Sequence, residues 1–162
     1  MKVIMLMRHG KSSWEYDLPD HKRPLKKRGE KEAELVANQF LKHRSLPQKV
    51  FSSPAKRALD TCKIVVKILD ISENSIKIED DLYDFGGESV IRFIKKLPNN
   101  IESIMIFGHN HAFTSIANLF GDEYIDNLPT SGLVKIIFDI NDWDDLKKGS
   151  TECIIVPKEL RE

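Results

Sequence analysis

The feature that most constrains the fold is a continuous apolar run that ends abruptly in a polar corner. Residues 3–7 are all apolar, and Arg8, His9 and Gly10 follow directly. Such a run is typical of a strand that is buried on both faces of an α/β sheet. In open α/β sheets ligands bind at the carboxyl ends of the strands, and Gly10 permits a sharp turn there. The sequence therefore predicts a strand that presents a cation and an imidazole to a ligand.

A second apolar run ends in a similar way. Residues 103–107 read Ser-Ile-Met-Ile-Phe, and the tetrapeptide Gly-His-Asn-His, which contains His109, comes next. Residues 112–120 then carry apolar side chains at helical spacing. We therefore expect His109 at the carboxyl end of a strand, as we expect His9, and close to the N-terminus of a helix.

Amphipathic segments alternate with apolar runs along the chain. This alternation predicts a mostly parallel sheet with helices on both faces, a three-layer α/β/α sandwich. The length of 162 residues predicts one domain, residues 1–162. The predicted helices span residues 29–41, 55–69, 88–97 and 112–120, and the further predicted strands span residues 50–53, 75–79, 133–140 and 153–156.

A long polar segment, residues 11–28, separates the first strand from the first helix. It contains Pro19 and Pro24, and we expect it to form a loop over the carboxyl edge of the sheet. Loops of this length are often functional. Basic residues cluster at Lys22-Arg23 and at residues 26–28. They have two interpretations that the sequence leaves open, since they either solvate the loop or frame an anionic substrate.

The overall charge argues against whole classes of partner. Twenty-five basic residues balance twenty-five acidic ones, so no global field attracts nucleic acid or a membrane surface. The N-terminus lacks a secretory core, and no apolar run reaches the length of a membrane helix. Cys62 and Cys153 lack metal-binding or redox spacing. We expect a cytoplasmic protein with reduced thiols, bound to neither nucleic acid nor membrane.

Arg57 joins the two histidines at the same edge. It lies in the first turn of the predicted helix that follows the second strand, beside helix amides that favour negative charge. Two arginines and helix amides suit the peripheral oxygens of a phosphoryl group. A neutral His9 then serves as the nucleophile, and His109 donates to the transferring group. This chemistry needs no metal and no cofactor.

Three spaced motifs carry a family resemblance. Arg8-His9-Gly10, Ser52-Ser53-Pro54 with Arg57, and Gly108-His109-Asn110 together resemble the histidine phosphatase superfamily, which includes the phosphoglycerate mutase-like proteins. The short length, residues 14–29 and the turn Thr130-Ser131-Gly132 resemble the SixA-like phosphohistidine phosphatases. The resemblance implies a phosphoglycerate mutase-like fold, a covalent phosphohistidine on His9, and a phosphate pocket of Arg8, Arg57 and His109.

Two further positions follow from the resemblance. Larger relatives place a catalytic acid in a region that here contains several carboxylates, and Asp81 is the best match for this proton donor. Many members have an asparagine that touches phosphate directly after the tryptophan of the first motif. This chain has Glu15 there, and a carboxylate would repel a phosphoryl group, so the role does not transfer to Glu15.

The sequence leaves three functions open. The first is a phosphatase that acts on phosphohistidine of a phosphorelay or other protein, because an imidazole leaving group has little need of a strong acid. The second is a small-molecule phosphomonoesterase with the same mechanism, which needs an acid near Asp81. The third is a non-catalytic module that binds phosphate or a phosphoprotein.

Overall fold

The computed structural model describes residues 1–43 and 45–161, and its central element is one six-stranded sheet. The strand order is β3-β2-β4-β1-β5-β6. The first four strands along the chain run parallel, β5 runs antiparallel to β1, and β6 runs antiparallel to β5. The strands are β1 (Lys2–Arg8), β2 (Lys49–Ser52), β3 (Ile76–Ile78), β4 (Ser103–Gly108), β5 (Leu133–Phe138) and β6 (Ser150–Ile155).

Helices cover both faces of this sheet, which confirms the expected layers. Alternate residues of β1 point to opposite sides, so Ile4 packs under α3 and α4 while Met5 packs under α1 and α2. Burial on both sides explains why the run from Val3 to Met7 has no polar member. The helices are α1 (Lys27–Leu41), α2 (Lys56–Ile68), α3 (Glu88–Lys95), α4 (Ala112–Phe120) and α5 (Pro157–Leu160).

The strand register brings three strand ends to one edge. Arg8 pairs with Gly108, and Ser52 pairs with Phe107. The carboxyl ends of β1, β2 and β4 are therefore neighbours, and the residues that follow them face a common space. The turn that precedes β5 lies at the same edge, because Leu133 pairs with Met7. A strand that starts there must run back through the sheet, which explains why β5 is antiparallel.

Several predicted boundaries shift in the structure. Helix α1 begins at Lys27 instead of residue 29, and the predicted loop before it contains a short 3-10 turn, Asp20–Lys22. Strand β6 begins at Ser150, three residues before the predicted start. Its first residues are polar and lie on an edge strand, so they give no apolar signal. Among the described residues, no helix is long and apolar enough to cross a membrane.

Candidate active site

His9 lies directly after β1, and the sheet holds its backbone on both sides. Its amide donates to the Gly108 carbonyl at 3.0 Å, and its carbonyl accepts from the Ser131 amide at 3.0 Å. The imidazole Nδ1 lies 2.7 Å from the Gly10 carbonyl oxygen. Because a carbonyl only accepts, Nδ1 carries the proton and Nε2 keeps its lone pair. Burial and, to a smaller extent, the charges of Arg57 and Arg8 lower the pKa of His9 to about 4, although the Gly10 hydrogen bond opposes this shift.

The two predicted arginines flank this nitrogen. The Nε of Arg57 lies 3.4 Å from His9 Nε2. Arg8 donates through Nη1 to the Leu128 carbonyl at 2.8 Å, and its buried Nε has no hydrogen-bond partner among the described residues. Both guanidiniums line the same cavity as His9, which has a volume of about 450 Å³. A neutral nucleophile between two cations suits attack on a phosphoryl group.

His109 lies behind this cavity and has no exposed surface. Its ring centre is 5.3 Å from that of His9, and its Nδ1 lies 3.5 Å from Arg57 Nη2. Its Nε2 lies 2.8 Å from the Ser53 hydroxyl, which accepts from the Ala55 amide at 3.2 Å. Since arginine nitrogens only donate, Nδ1 accepts from Arg57 Nη2, and the ring proton lies on Nε2, which donates to the Ser53 hydroxyl. Burial and the neighbouring charges lower the pKa of His109 to about 3.

Asp20 connects the cavity to the loop, and sequence reasoning assigned it no role. Its backbone carbonyl accepts from Arg57 Nη1 at 2.7 Å, and its Oδ2 accepts from Arg57 Nη2 at 2.9 Å. The hydroxyl of Tyr83 donates to the same Oδ2, and Arg23 Nε lies 3.3 Å from Oδ1. Partial burial alone would raise the pKa of Asp20, but these hydrogen bonds and the arginine charges lower it to about 2.

Comparison with known proteins places the chain in a family. Residues 4–88 match the model of the histidine phosphatase superfamily, branch 1. The chain belongs to this superfamily. An uncharacterized chloroplastic protein of Arabidopsis thaliana is 30% identical to this histidine phosphatase over 151 residues, which are 88% of this chain and 69% of that protein.

Solved structures show the fold of this histidine phosphatase. SixA from Agrobacterium tumefaciens matches with a TM-score of 0.80 at 24% identity, covering 96% of this chain and 98% of that chain. The protein histidine phosphatase SixA in complex with tungstate matches with a TM-score of 0.82 at 23% identity, covering 98% of this chain and 99% of that one. The expected phosphoglycerate mutase-like, SixA-like fold is confirmed.

The structure does not bring Asp81 into the site of this histidine phosphatase. Asp81 is exposed, its Oδ1 lies 3.4 Å from the Ser89 hydroxyl, and it is not among the residues that line the cavity of His9. The carboxylate that does line it is that of Asp20. Glu15 is also exposed and lines a neighbouring cavity of about 600 Å³. The geometry gives Asp81 no contact through which it would protonate a group held at His9.

The loop also supplies side chains that the sequence pattern could not place. Trp14, Arg23 and Phe85 line the cavity beside His9. Their positions depend on the path of the loop and of residues 79–87, neither of which has a periodic pattern. Asp20 is part of the SixA-like segment and Arg23 is also part of the basic cluster Lys22-Arg23, but neither pattern predicts that the two side chains meet. Within residues 1–43 and 45–161, no group of three or more His, Cys, Asp or Glu side chains is arranged to hold a metal ion.

Proposed function

We propose that this histidine phosphatase is a metal-independent phosphatase that forms a phosphohistidine on His9 and removes phosphate from phosphohistidine of another protein. The observation that carries the proposal is the tautomer of His9, which has its proton on Nδ1. Its Nδ1 donates to the Gly10 carbonyl at 2.7 Å, so Nε2 is a free nucleophile between Arg8 and Arg57.

The reaction has two steps at this nitrogen. In the first, His9 Nε2 attacks phosphorus while the bond to the leaving nitrogen of the substrate breaks. The substrate ring leaves as a neutral imidazole that keeps a proton on its other nitrogen. In the second step, water attacks phosphorus, the bond to Nε2 breaks, and His9 is released neutral. Throughout both steps Nδ1 keeps its proton and donates it in the hydrogen bond to the Gly10 carbonyl.

Leaving-group chemistry favours phosphohistidine over a phosphate ester. An alkoxide must be protonated as it leaves, whereas an imidazole has a conjugate acid of pKa ~6.5. Among the described residues, the only carboxylate that lines the cavity is Asp20. Its pKa of about 2 keeps it ionised at neutral pH, so it has no proton to give. The site therefore suits a substrate whose leaving group needs no strong acid.

Arg8, Arg57 and His109 stabilise the charge on the phosphoryl group in the transition state. Two guanidiniums neutralise the peripheral oxygens, whose charge is redistributed in the transition state. His109, neutral at physiological pH, is held by Ser53 at Nε2 and by Arg57 at Nδ1. Because these groups are buried, their interactions with a phosphoryl group are less screened than on the surface.

The experiment compares two substrates with EDTA present. One is a carrier protein phosphorylated on histidine, and the other is an aryl phosphate. We expect fast loss of phosphohistidine, slow ester cleavage, and abolition of both by His9→Gln. His43→Gln, at an exposed histidine outside the site, is the matched control and should retain wild-type rates.

The outcomes separate the open functions. Efficient ester cleavage with an inert phosphoprotein would replace the proposal by a small-molecule phosphatase. No detectable hydrolysis of either substrate would favour a non-catalytic module that binds phosphate or a phosphoprotein. Substantial activity of the His9→Gln protein would contradict the covalent mechanism, and loss of activity on metal removal would contradict metal independence.

A further inference from the structure

Arg23 is a buried cation on a loop, and it shares its carboxylate partner, Asp20, with Arg57. Only 6% of the residue is exposed. Its guanidinium carbon lies 3.4 Å from the centre of the Trp14 ring, and its Nε lies 3.3 Å from Asp20 Oδ1. Its Nη1 is buried and has no hydrogen-bond partner among the described residues. Burying an arginine in this way is costly unless an anion joins it.

The cavity that Arg23 lines is the one that holds the nucleophile. Arg8, His9 and Arg57 line the same space. Arg23 is also close enough for its charge to contribute to lowering the pKa of His9. Arg23 therefore lines the cavity that holds the nucleophile and not a separate surface site.

The arginines at this site have more N–H donors than the Asp20 carboxylate accepts from. Both terminal nitrogens of Arg57 are bound to Asp20, which also accepts from Arg23 Nε. One carboxylate is thus shared between two guanidiniums. Arg23 Nη1 and Arg8 Nε remain as buried donors without partners among the described residues. A phosphoryl group has the peripheral oxygens and the charge to satisfy them.

We propose that Arg23 is a third guanidinium of the phosphoryl-binding site, held in place by Trp14 and Asp20. This inference rests on the proposed function in that the anion is the phosphoryl group of the substrate.

Trp14 and Asp20 are the positioning residues for Arg23. Trp14 is 75% exposed, so its burial contributes little, and its contact with Arg23 is the one that fixes the loop side chain. Stacking on an indole holds a guanidinium plane without using its N–H donors. Asp20 accepts only from Nε. The terminal nitrogens of Arg23 are thereby left for a substrate oxygen.

The direct test is binding of tungstate and of inorganic phosphate, measured by titration calorimetry on the full chain. Arg23→Gln is expected to weaken both at least ten-fold, because it removes a charged hydrogen-bond donor from the anion site. The matched control is Arg28→Gln, which removes the same charge from the first turn of α1. Arg28 is 57% exposed and pairs with Glu32, so its loss should leave both affinities unchanged. Equal affinities for the Arg23→Gln protein and wild type would overturn the inference.

Two further variants keep the test valid if Arg23→Gln does not fold. Arg23→Lys retains the positive charge but loses the planar guanidinium with its several N–H donors. Trp14→Ala retains Arg23 but removes the indole ring against which it packs. Each is expected to weaken tungstate binding several-fold, and unchanged binding in both would overturn the inference. Tungstate binding is measured without catalysis, so this test does not depend on whether the protein hydrolyses phosphohistidine. If the wild type binds oxoanions through Arg23 but leaves phosphohistidine intact, the proposed function fails and the site assignment stands.

Discussion

Arg57 and Asp20 are joined by two hydrogen bonds, one to the backbone carbonyl and one to the carboxylate of the aspartate. These bonds orient the guanidinium so that its Nε faces His9 Nε2 at 3.4 Å. The loop between β1 and α1 thus fixes a side chain that belongs to α2. The orientation of Arg57 depends on a contact between segments that are far apart in sequence.

Arg57→Lys tests whether this orientation matters beyond charge. A lysine keeps the positive charge but cannot make both bonds to Asp20 and face His9 at once. We expect kcat/KM to fall about 100-fold, the cost typical of removing one donor to transition-state charge. Steady-state kinetics on a phosphohistidine protein measure the effect. Arg92→Lys, at an exposed position of α3, is the control, and an equal change in both variants would contradict the prediction.

Ser53→Ala tests how His109 is held in the site. Removing the hydroxyl leaves the buried Nε2 N–H without its partner at 2.8 Å and leaves the ring less firmly oriented. We expect kcat to fall, with a loss of about 1–3 kcal/mol in the free energy of unfolding. Ser52→Ala is the matched control, because Ser52 is equally buried but donates to the Ser53 carbonyl. The prediction fails if kcat is the same in both variants.

The depressed pKa values of the two site histidines predict that the protein loses stability in acid. In the folded chain His9 and His109 have pKa values of about 4 and about 3, whereas an unfolded imidazole titrates near ~6.5. Between these values the unfolded chain binds more protons, so the free energy of unfolding falls as pH falls from 6.5 through 4. Each imidazole contributes a slope of up to about 1.4 kcal/mol per pH unit. Urea unfolding across this range measures the slope, which should be shallower for His9→Gln; identical slopes would contradict the assignment.

Gly29→Ala tests the packing of α1 against the strand end that carries His9. A Cβ at Gly29 would lie 2.4 Å from the Lys11 carbonyl oxygen and 2.8 Å from the Lys11 amide nitrogen. Since backbone atoms cannot turn away, we expect a loss of about 1–3 kcal/mol in the free energy of unfolding. Chemical denaturation measures it. Gly86→Ala is the control, because the nearest atom to its added Cβ is 3.9 Å away. Equal stability of the two variants would show that α1 shifts freely.

Sequence reasoning located the residues that follow strands and failed for those on irregular loops. Arg8, His9 and His109 follow apolar runs, and Arg57 begins a helix, so periodicity alone placed them near one edge. Asp81 is predicted only from the resemblance to larger relatives, and the structure places it outside the cavity. The loop from residue 11 to 26 has no period from which the position of Asp20 or Arg23 could be calculated.

The amino-acid sequence by itself determined the alternating strands and helices, because apolar period and strand length are local properties that burial on one or both faces imposes. It also determined that His9 and Arg8 end a buried strand. Only the tertiary structure decided which carboxylate meets the arginines, which hydroxyl meets His109, and that Arg23 is buried. The contacts of Asp20 with Arg57 and of Ser53 with His109 join segments separated by tens of residues, and the burial of Arg23 depends on how an aperiodic loop crosses the sheet edge.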